Sequence, residues 1–407
     1  MNQRVDVAVV GGGAAGIAAA RRLADLHRSV LIVEALSQLG GRARTSIFQG
    51  LPLDLGCGWL HSARRNPLAM LAEAQAQELD RSRGAWHRQL RDIRFTAPEQ
   101  REAWTAFQQL GERLHRDPPS SDCAADAMAS GDRWRPFIDG LSSFLNGTEL
   151  DRLSAADYLA YDDAATEDNW RLPSGYGAFI AGLGADLPAA LDTTVHAVSQ
   201  GADIALDTSG GTLHARAAII TVSSAVLARD DIRFRPSIAD HLDAASCLPL
   251  GLADKVFLSL GDPAAVPPES HLLGRFDRAA TGSYYLRPFG WPVIECYLGG
   301  SWAQSLEDAG PQAAFAFAID ELRQLLGDSF ARTLTPITAT RWAHEQTIGG
   351  SYSHALPGKV NARAALARPI SERLCLAGEA CSEQDFSTAH GAWQSGLRAA
   401  DWVERFL

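Results

Sequence analysis

Lysine is nearly absent from this sequence. Only Lys255 and Lys359 stand among 37 basic side chains in 407 residues. The remainder are arginine, a bias that follows genome composition and carries little function, but it makes each lysine conspicuous. Basic charge is short overall, with a formal net charge of −11. A nucleic-acid binder would show a basic face, so no nucleic-acid partner is expected. Such acidity suits a cationic ligand, although solubility alone accounts for most surpluses of this kind. Paired cysteines are missing as well. Cys57, Cys123, Cys247, Cys296, Cys375 and Cys381 form no CxxC pair and no metal spacing, so neither a disulfide framework nor a metal site is expected. Scattered free thiols suit a reducing, cytoplasmic compartment. No apolar run approaches the ~20 residues of a membrane helix. The start "MNQR" resembles no leader, and "DWVERFL" is no hydrophobic tail, so no membrane partner is expected.

What is present is an ordinary globular composition, 46% hydrophobic and 21% charged. The length predicts two domains. "VDVAVV" (Val5–Val10) predicts a strand buried on both faces. Gly11-x-Gly13-x-x-Gly16 follows, then an Ala- and Leu-faced helix, then a second strand, "SVLIVEA" (Ser29–Ala35). This strand–turn–helix–strand unit of about 30 residues turns a glycine match into a dinucleotide fingerprint. Gly11 allows the tight turn, Gly13 lets backbone approach a pyrophosphate, and Gly16 lets the helix pack on the strand. The helix start offers free N–H groups and a positive dipole end to phosphates. Glu34, ending the second strand, is placed to accept hydrogen bonds from an adenosine ribose and to repel a 2′-phosphate, which disfavours NADP. The glycines alone fit either a nicotinamide or a flavin dinucleotide.

From Asn66 to about Tyr161 the pattern predicts amphipathic helices: "NPLAMLAEAQAQEL", "EQREAWTAFQQLGERLH" and "WRPFIDGLSSFLN". "TTVHAVSQ" through "AAIITV" predicts strands with Gly-rich turns, and "ADKVFLSLG" and "PVIECYLGG" strands of another sheet. "AAFAFAIDELRQLLG" predicts a helix, "RLCLAGEA" a strand, and "HGAWQSGLRAADWVERFL" a closing helix. Both chain ends read as dinucleotide-domain pieces. The expected organisation is therefore discontinuous: residues 1–62, 164–235 and 346–407 in one domain, 63–163 and 236–345 in a substrate domain.

"LGGRARTS" follows the second strand, and an NAD dehydrogenase has no use for its Gly40-Gly41-Arg42. It is either a surface turn or a place where the chain hugs a large cofactor while Arg42 neutralises a pyrophosphate. Here the sequence resembles the flavin-dependent amine oxidases, the family of monoamine oxidases, polyamine oxidases and flavin histone-lysine demethylases. The resemblance runs in order along nearly the whole chain. It is carried by the glycine fingerprint, "LGGRARTS", "LDLGCGWLHS" (Leu53–Ser62, resembling a strand beneath the flavin), "LPSGYGAFIAGL", "TTVHAVS" with "AAIITVSSAVL", "ADKVFLSL", "RWAHEQTIGGSYSHALPG" and "LAGEACSEQDFSTAHGAWQSGLRAA".

The resemblance implies an α/β fold with a discontinuous Rossmann-type FAD-binding domain and a mixed sheet-and-helix substrate domain. It implies FAD as cofactor, an amine as substrate and O2 as electron acceptor. An amine would be oxidised to an imine by hydride transfer to flavin N5, O2 reduced to H2O2, and the imine hydrolysed. It implies FAD contacts at Gly11, Gly13, Ala15, Gly16, Glu34, Gly41 and Arg42, adenine held by the Val195 backbone, Gly378 and Glu379 at the ribityl–phosphate region, and the helix start at Ala389 facing the flavin pyrimidine end. Ser351 stands where the mitochondrial monoamine oxidases carry a flavin-linked cysteine, so FAD is expected to be non-covalent. Lys255 would reach a water at N5; the alternative is a strand-end lysine snorkelling to solvent. Tyr352 would form one wall of an aromatic cage, or be a core tyrosine. The facing wall is Thr388, not an aromatic, which would widen the pocket toward secondary or bulky amines. Trp342 would lie near the flavin, or simply pack. His61 would orient or deprotonate the amine, or bond backbone. A flavin desaturase or porphyrinogen-type oxidase shares the N-terminal motifs, though Lys255 and "GSYS" count against it, and a non-catalytic flavoprotein binding module is the rival of another class. Which amine is used, and the oligomeric state, are open at this point.

Overall fold

A computed structural model describes residues 3–84, 86, 89–90 and 95–407. Two large sheets organise them. The first takes β1 (Gln3–Val10), β2 (Val30–Val33), β5 (Ala189–Ala190), β6 (Val195–Gln200), β7 (Ile204–Thr208), β8 (Gly211–Ile220), β9 (Arg233–Arg235) and β15 (Leu374–Leu376). Its order is β5-β2-β1-β8-β7-β6-β9, with β15 on the far end of β8. β1, β2, β5, β8 and β15 pair in parallel, as buried Rossmann-type strands do. The second sheet takes β10 (Ala253–Leu260), β11 (Ser270–Leu273), β12 (Ser283–Leu286), β13 (Val293–Gly299) and β14 (Leu334–Ala339), in the order β11-β12-β13-β10-β14. All its pairings are antiparallel. A hairpin, β3 (Thr45–Phe48) with β4 (Leu51–Asp54), lies between the two in sequence.

The helix Ala14–Asp25 buries Ile17, Ala18, Ala19, Ala20 and Leu23 fully. A fully buried Ile or Leu contributes ~1.5–3 kcal/mol of transfer free energy. Its alanines leave room for the closing helix Ala389–Glu404, which crosses so closely that a Cβ on Gly396 would sit 2.0 Å from the Ala15 carbonyl oxygen. The first and last segments of the chain are thereby packed into one unit.

Alternation along the second sheet sorts its side chains by face. Val256, Leu258, Leu272, Tyr284, Leu286, Ile294, Cys296 and Leu298 share an apolar core with Leu306, Ala314, Ala318 and Leu322. Those four belong to the helices Gly300–Ala309 and Pro311–Leu326. The opposite positions carry Lys255, Ser283, Tyr285, Glu295 and Tyr297, paired across the strands as Lys255 with Tyr297 with Ser283, and Glu295 with Tyr285. That polar face meets the β4 segment and the loop after it.

Three local expectations change. The helix expected over Asn66–Leu79 stops at Ala74, because Ala76 turns left-handed (φ 53°) and Asp80 bridges to Arg171. The strand expected to reach Ala35 ends at Val33, since the Glu34 carboxylate takes the amides of Gly12 and Leu36. The segment Leu53–Ser62, likened to a strand beneath the flavin, keeps strand form only to Asp54. Beyond it the chain presses on the Gly40–Arg42 turn, and a Cβ on Gly56 would lie 1.7 Å from the Arg42 carbonyl oxygen.

Candidate active site

The cofactor edge is built where β1, β8 and β15 end. Gly11 holds φ 101°, and a Cβ there would strike the Thr221 hydroxyl at 2.7 Å. A Cβ on Gly16 would strike the Gly11 carbonyl oxygen at 2.0 Å. These two glycines serve internal packing. Gly13 differs: the nearest neighbour of its Cβ would be Gly40 oxygen at 3.9 Å, and Gly378, at φ 153°, would meet nothing within 4 Å. Both are positions where backbone can be approached from outside, which fits a dinucleotide lying along this edge. Gly41 closes the other side, its Cβ position 3.3 Å from Gly13 Cα. Ala15 and Gly16 lie in the first turn of the helix Ala14–Asp25, whose free N–H groups open at this edge.

Glu34 is buried, and burial pushes its carboxyl above the ordinary value against the pull of the Leu36 and Gly12 amides. Its backbone oxygen accepts from Thr193 N–H at 2.8 Å, which brings the start of β6 and Val195 alongside. The β6–β7 register is irregular between Val195 and Ala197.

Glu379 is a buried junction. It accepts from Arg42 Nη1 at 3.0 Å, Ser353 Oγ at 2.7 Å and Ser387 N–H at 2.9 Å. Burial would raise its pKa, but the charges of Arg42 and Arg363 with the Ser353 and Ser387 donors outweigh it and hold the carboxyl below its ordinary value. Arg42 also donates to the Ser351 carbonyl oxygen. Arg363 is itself buried in a two-pronged pair with Asp157, at 2.6 and 2.8 Å. Sequence reasoning named Arg42 and Glu379 but missed Asp157 and Arg363.

Lys255 does not reach solvent. Its ammonium lies 2.8 Å from Glu295 Oε1 and 2.9 Å from the Asp54 carbonyl oxygen, with 5% of the side chain exposed. Burial works to lower its pKa, but the Glu295 carboxylate, by charge and hydrogen bond, reverses this and raises it, so Lys255 remains charged. The Tyr297 hydroxyl stands 3.4 Å from that of Tyr352, which donates to the Phe144 carbonyl oxygen at 2.5 Å. Burial holds both phenols above their ordinary pKa, so both keep their protons. Gly58 lies against Lys255, its Cβ position 3.4 Å from Nζ.

His61 Nδ1 lies 2.8 Å from Asn169 Oδ1, and the Asn169 amide nitrogen donates to the Glu167 carbonyl oxygen. That orientation puts the imidazole proton on Nδ1 and leaves Nε2 as the basic atom. Burial lowers the His61 pKa. Its partner is a side chain rather than backbone. Thr388 caps the closing helix, accepting from Gly391 N–H at 3.0 Å and donating to the Asp385 carbonyl oxygen at 2.6 Å. Ala389 is the first residue of that helix. Trp342 is buried in the core beneath the sheet, 3.5 Å from the Gly56 Cβ position, with the Arg44 guanidinium 5.1 Å over its ring.

Residues 14–403 match the family of flavin containing amine oxidoreductases. The chain belongs to that family. As a flavin amine oxidoreductase it acts on amines with FAD as its cofactor. It is 28% identical to polyamine oxidase 2 of Arabidopsis thaliana, over 97% of this chain and 87% of that one. It is 26% identical to polyamine oxidase 4 of Oryza sativa subsp. japonica, over 97% and 88%. A lysine-specific histone demethylase 1 homolog 2 from the same rice is 27% identical, over 98% of this chain and 56% of its own. The fold matches a putrescine oxidase redesigned for cofactor binding, at TM-score 0.77 and 16% identity, over 100% of both chains.

In this flavin amine oxidoreductase, tertiary structure brings Lys255, Tyr352 and the Gly56–His61 loop together, and it adds Glu295, Tyr297 and Asn169, which sequence reasoning did not name. The first two had a signal. In "PVIECYLGG" a carboxylate and a tyrosine occupy alternate places of an otherwise apolar strand, on the face shared with Lys255. Among the described residues no helix is long and apolar enough to cross a membrane.

Proposed function

We propose that this protein is an amine oxidase proper, taking a polyamine, a secondary amine or a monoamine, with O2 as acceptor and H2O2 and a carbonyl compound as products. The observation that carries the reading is the buried Lys255–Glu295 pair, with Tyr297 and then Tyr352 on one side of it and Gly58, from the loop that holds His61, against Lys255. FAD, when bound, supplies the redox chemistry, taking two electrons and a hydrogen from the carbon alpha to nitrogen and passing electrons to O2. The chain's own residues do the rest. Gly13 and Ala15 with Arg42, Glu34 and Val195 hold the dinucleotide, on a turn that Gly11 and Gly16 keep compact, while Gly378, Glu379 and the helix start at Ala389 hold the flavin end. FAD is held without a covalent bond: the Ser351 hydroxyl is buried and doubly engaged with the Ala253 backbone, at 2.8 and 2.9 Å.

An amine is oxidised as the free base, so an arriving ammonium must lose a proton. His61 Nε2 is the group to accept it. Lys255 is held charged and does not serve as that base; it keeps a proton donor and a positive charge at the seam between the two sheets. Tyr352 and Tyr297 supply aromatic faces, and Thr388, opposite, leaves room for a substituted nitrogen. Six unpaired cysteines fit a reducing compartment, and we place the protein in the cytoplasm. The test is anaerobic mixing of the yellow protein with a panel of amines. Loss of flavin absorbance at about 450 nm supports the reading, and a flavin that no amine bleaches sinks it.

A further inference from the structure

The segment Asn169–Arg171 runs antiparallel beside Trp59–His61, with Leu60 and Trp170 exchanging backbone hydrogen bonds at 2.8 and 3.2 Å. This sets His61 beside Asn169 and Trp59 beside Arg171. Arg171 is buried, with 5% of its side chain exposed. Its guanidinium lies 4.8 Å from the Trp59 ring centre, 5.1 Å from Tyr285 and 4.2 Å from Phe289. It pairs with Asp80 and, at 2.7 Å, with Glu269. Glu269 also accepts from the Tyr285 hydroxyl and the Phe289 amide. Glu269, Arg287 and Phe289 all hold left-handed backbone, at φ 53°, 55° and 55°. Such strain persists only where the surroundings over-determine it.

Three aromatic faces and two carboxylates are the chemistry that binds an organic cation. Here the cation is the chain's own. The cage also adjoins the amine seam on both walls. Trp59 follows Gly58, which touches Lys255, and Tyr285 is the sheet partner of Glu295, which holds Lys255. Asp80 and Glu269 share the one guanidinium of Arg171, Glu269 also taking the Tyr285 hydroxyl and the Phe289 amide, and Glu295 is paired with Lys255. A second ammonium reaching this end would lose its water, meet the buried guanidinium at close range and find the oxygens of these carboxylates already engaged by donors of the chain.

We propose that Arg171 fills the far end of the amine seam as an internal substitute for a second substrate cation, so that the protein selects amines with one nitrogen and an apolar remainder over diamines and polyamines. This rests on the amine-oxidising reading. The exposed parts of Trp59 and Trp86, their ring centres 4.1 Å apart and their planes tilted by 49°, offer the apolar remainder a surface.

The test compares hexylamine with hexamethylenediamine, two amines of equal length, by anaerobic flavin reduction and by tryptophan-fluorescence titration of the holoprotein. Wild type should favour the monoamine by about tenfold or more in both readouts. Arg171→Gln should bring the ratio to about one, and Arg171→Lys, which keeps the charge, should retain the preference. Equal use of both amines by wild type overturns the proposal, as does a ratio that Arg171→Gln leaves unmoved. Should Arg171→Gln not accumulate as folded holoprotein, Glu269→Gln shifts the charge the other way and must raise the ratio; an unchanged ratio then overturns it. If wild type responds to neither amine, the amine-oxidising reading itself has failed, and the selection with it.

Discussion

Asp254 and Lys255 are neighbours in β10 and face opposite ways. Lys255 points into the seam and finds a carboxylate, so it stays charged although buried. Asp254 points toward the helices Gly300–Ala309 and Pro311–Leu326 and finds Glu307, another acid. Burial first, then the hydrogen bond and charge of Glu307, push its carboxyl up to about 9. It is therefore protonated at neutral pH, accepting from Thr340 Oγ1 at 2.7 Å and from Trp342 N–H at 3.3 Å. Glu307 in turn takes the Ala343 and His344 amides and the His344 ring. One strand thus carries a cation toward the proposed amine site and a neutralised acid into the scaffold. Burial alone does not fix a charge state; the partner on the far side decides it.

Removing the seam-side charge should have the largest effect. Lys255→Met should keep FAD bound but slow flavin reduction, reoxidation or both by ~10–1000-fold, the range of one positioned catalytic group. Equal rapid-mixing rates at matched flavin occupancy would reduce Lys255 to a packing residue and erase the difference between the faces.

Changing the scaffold side should alter stability before activity. Asp254→Ala should cost ~1–3 kcal/mol, since buried donors at Thr340 and Trp342 lose their acceptor. Asp254→Asn keeps an acceptor and should cost less. The raised pKa also has a sign. The folded state holds a proton that the unfolded chain, titrating near the ordinary value of 3.8, releases. This contribution to stability is complete below that value and lost as pH rises through about 9. Denaturant melts of wild type should weaken over this range and those of Asp254→Asn should weaken less. Parallel curves would mean that Asp254 is not the titrating group.

His61 is a seam group whose charge state burial decides without a counter-ion. Its pKa is lowered from 6.5, so the imidazole is neutral at pH 7 and remains a base somewhat below pH 6.5. The acid limb of the flavin-reduction rate should fall below that pH and should change shape in His61→Asn. An identical limb in the variant would assign the proton to another group. The smallest effect should come at the helix start. Thr388→Ser retains the cap hydroxyl, whereas Thr388→Ala should cost ~1 kcal/mol in thermal or chemical melts. Equal melting of the two would show that the hydroxyl does not cap.

The cofactor half was legible in the sequence because its signals are local. Gly11 and Gly16 are required by contacts within a few residues or across one strand, and spacing alone exposes them. Lys255 was legible because lysine is rare here and its strand is apolar. The partners were not. Glu295 lies 40 residues from Lys255, and Asn169 lies 108 from His61. Nothing local to either residue announces such a pairing. Arg171 reads in sequence as one arginine among many.

The sequence by itself determined a dinucleotide fold with a flavin amine oxidoreductase's motifs in order, because turn geometry, strand burial and helix packing act over short chain distances. The tertiary structure alone decided which charges survive burial. Lys255 is kept charged by a carboxylate from a neighbouring strand, Asp254 is neutralised by an acid from a helix, and Arg171 is enclosed by Trp59 from one segment and by Tyr285 and Phe289 from another. The free energy of a buried charge depends on what stands within a few ångströms of it in space, and in this chain those neighbours are tens to hundreds of residues away.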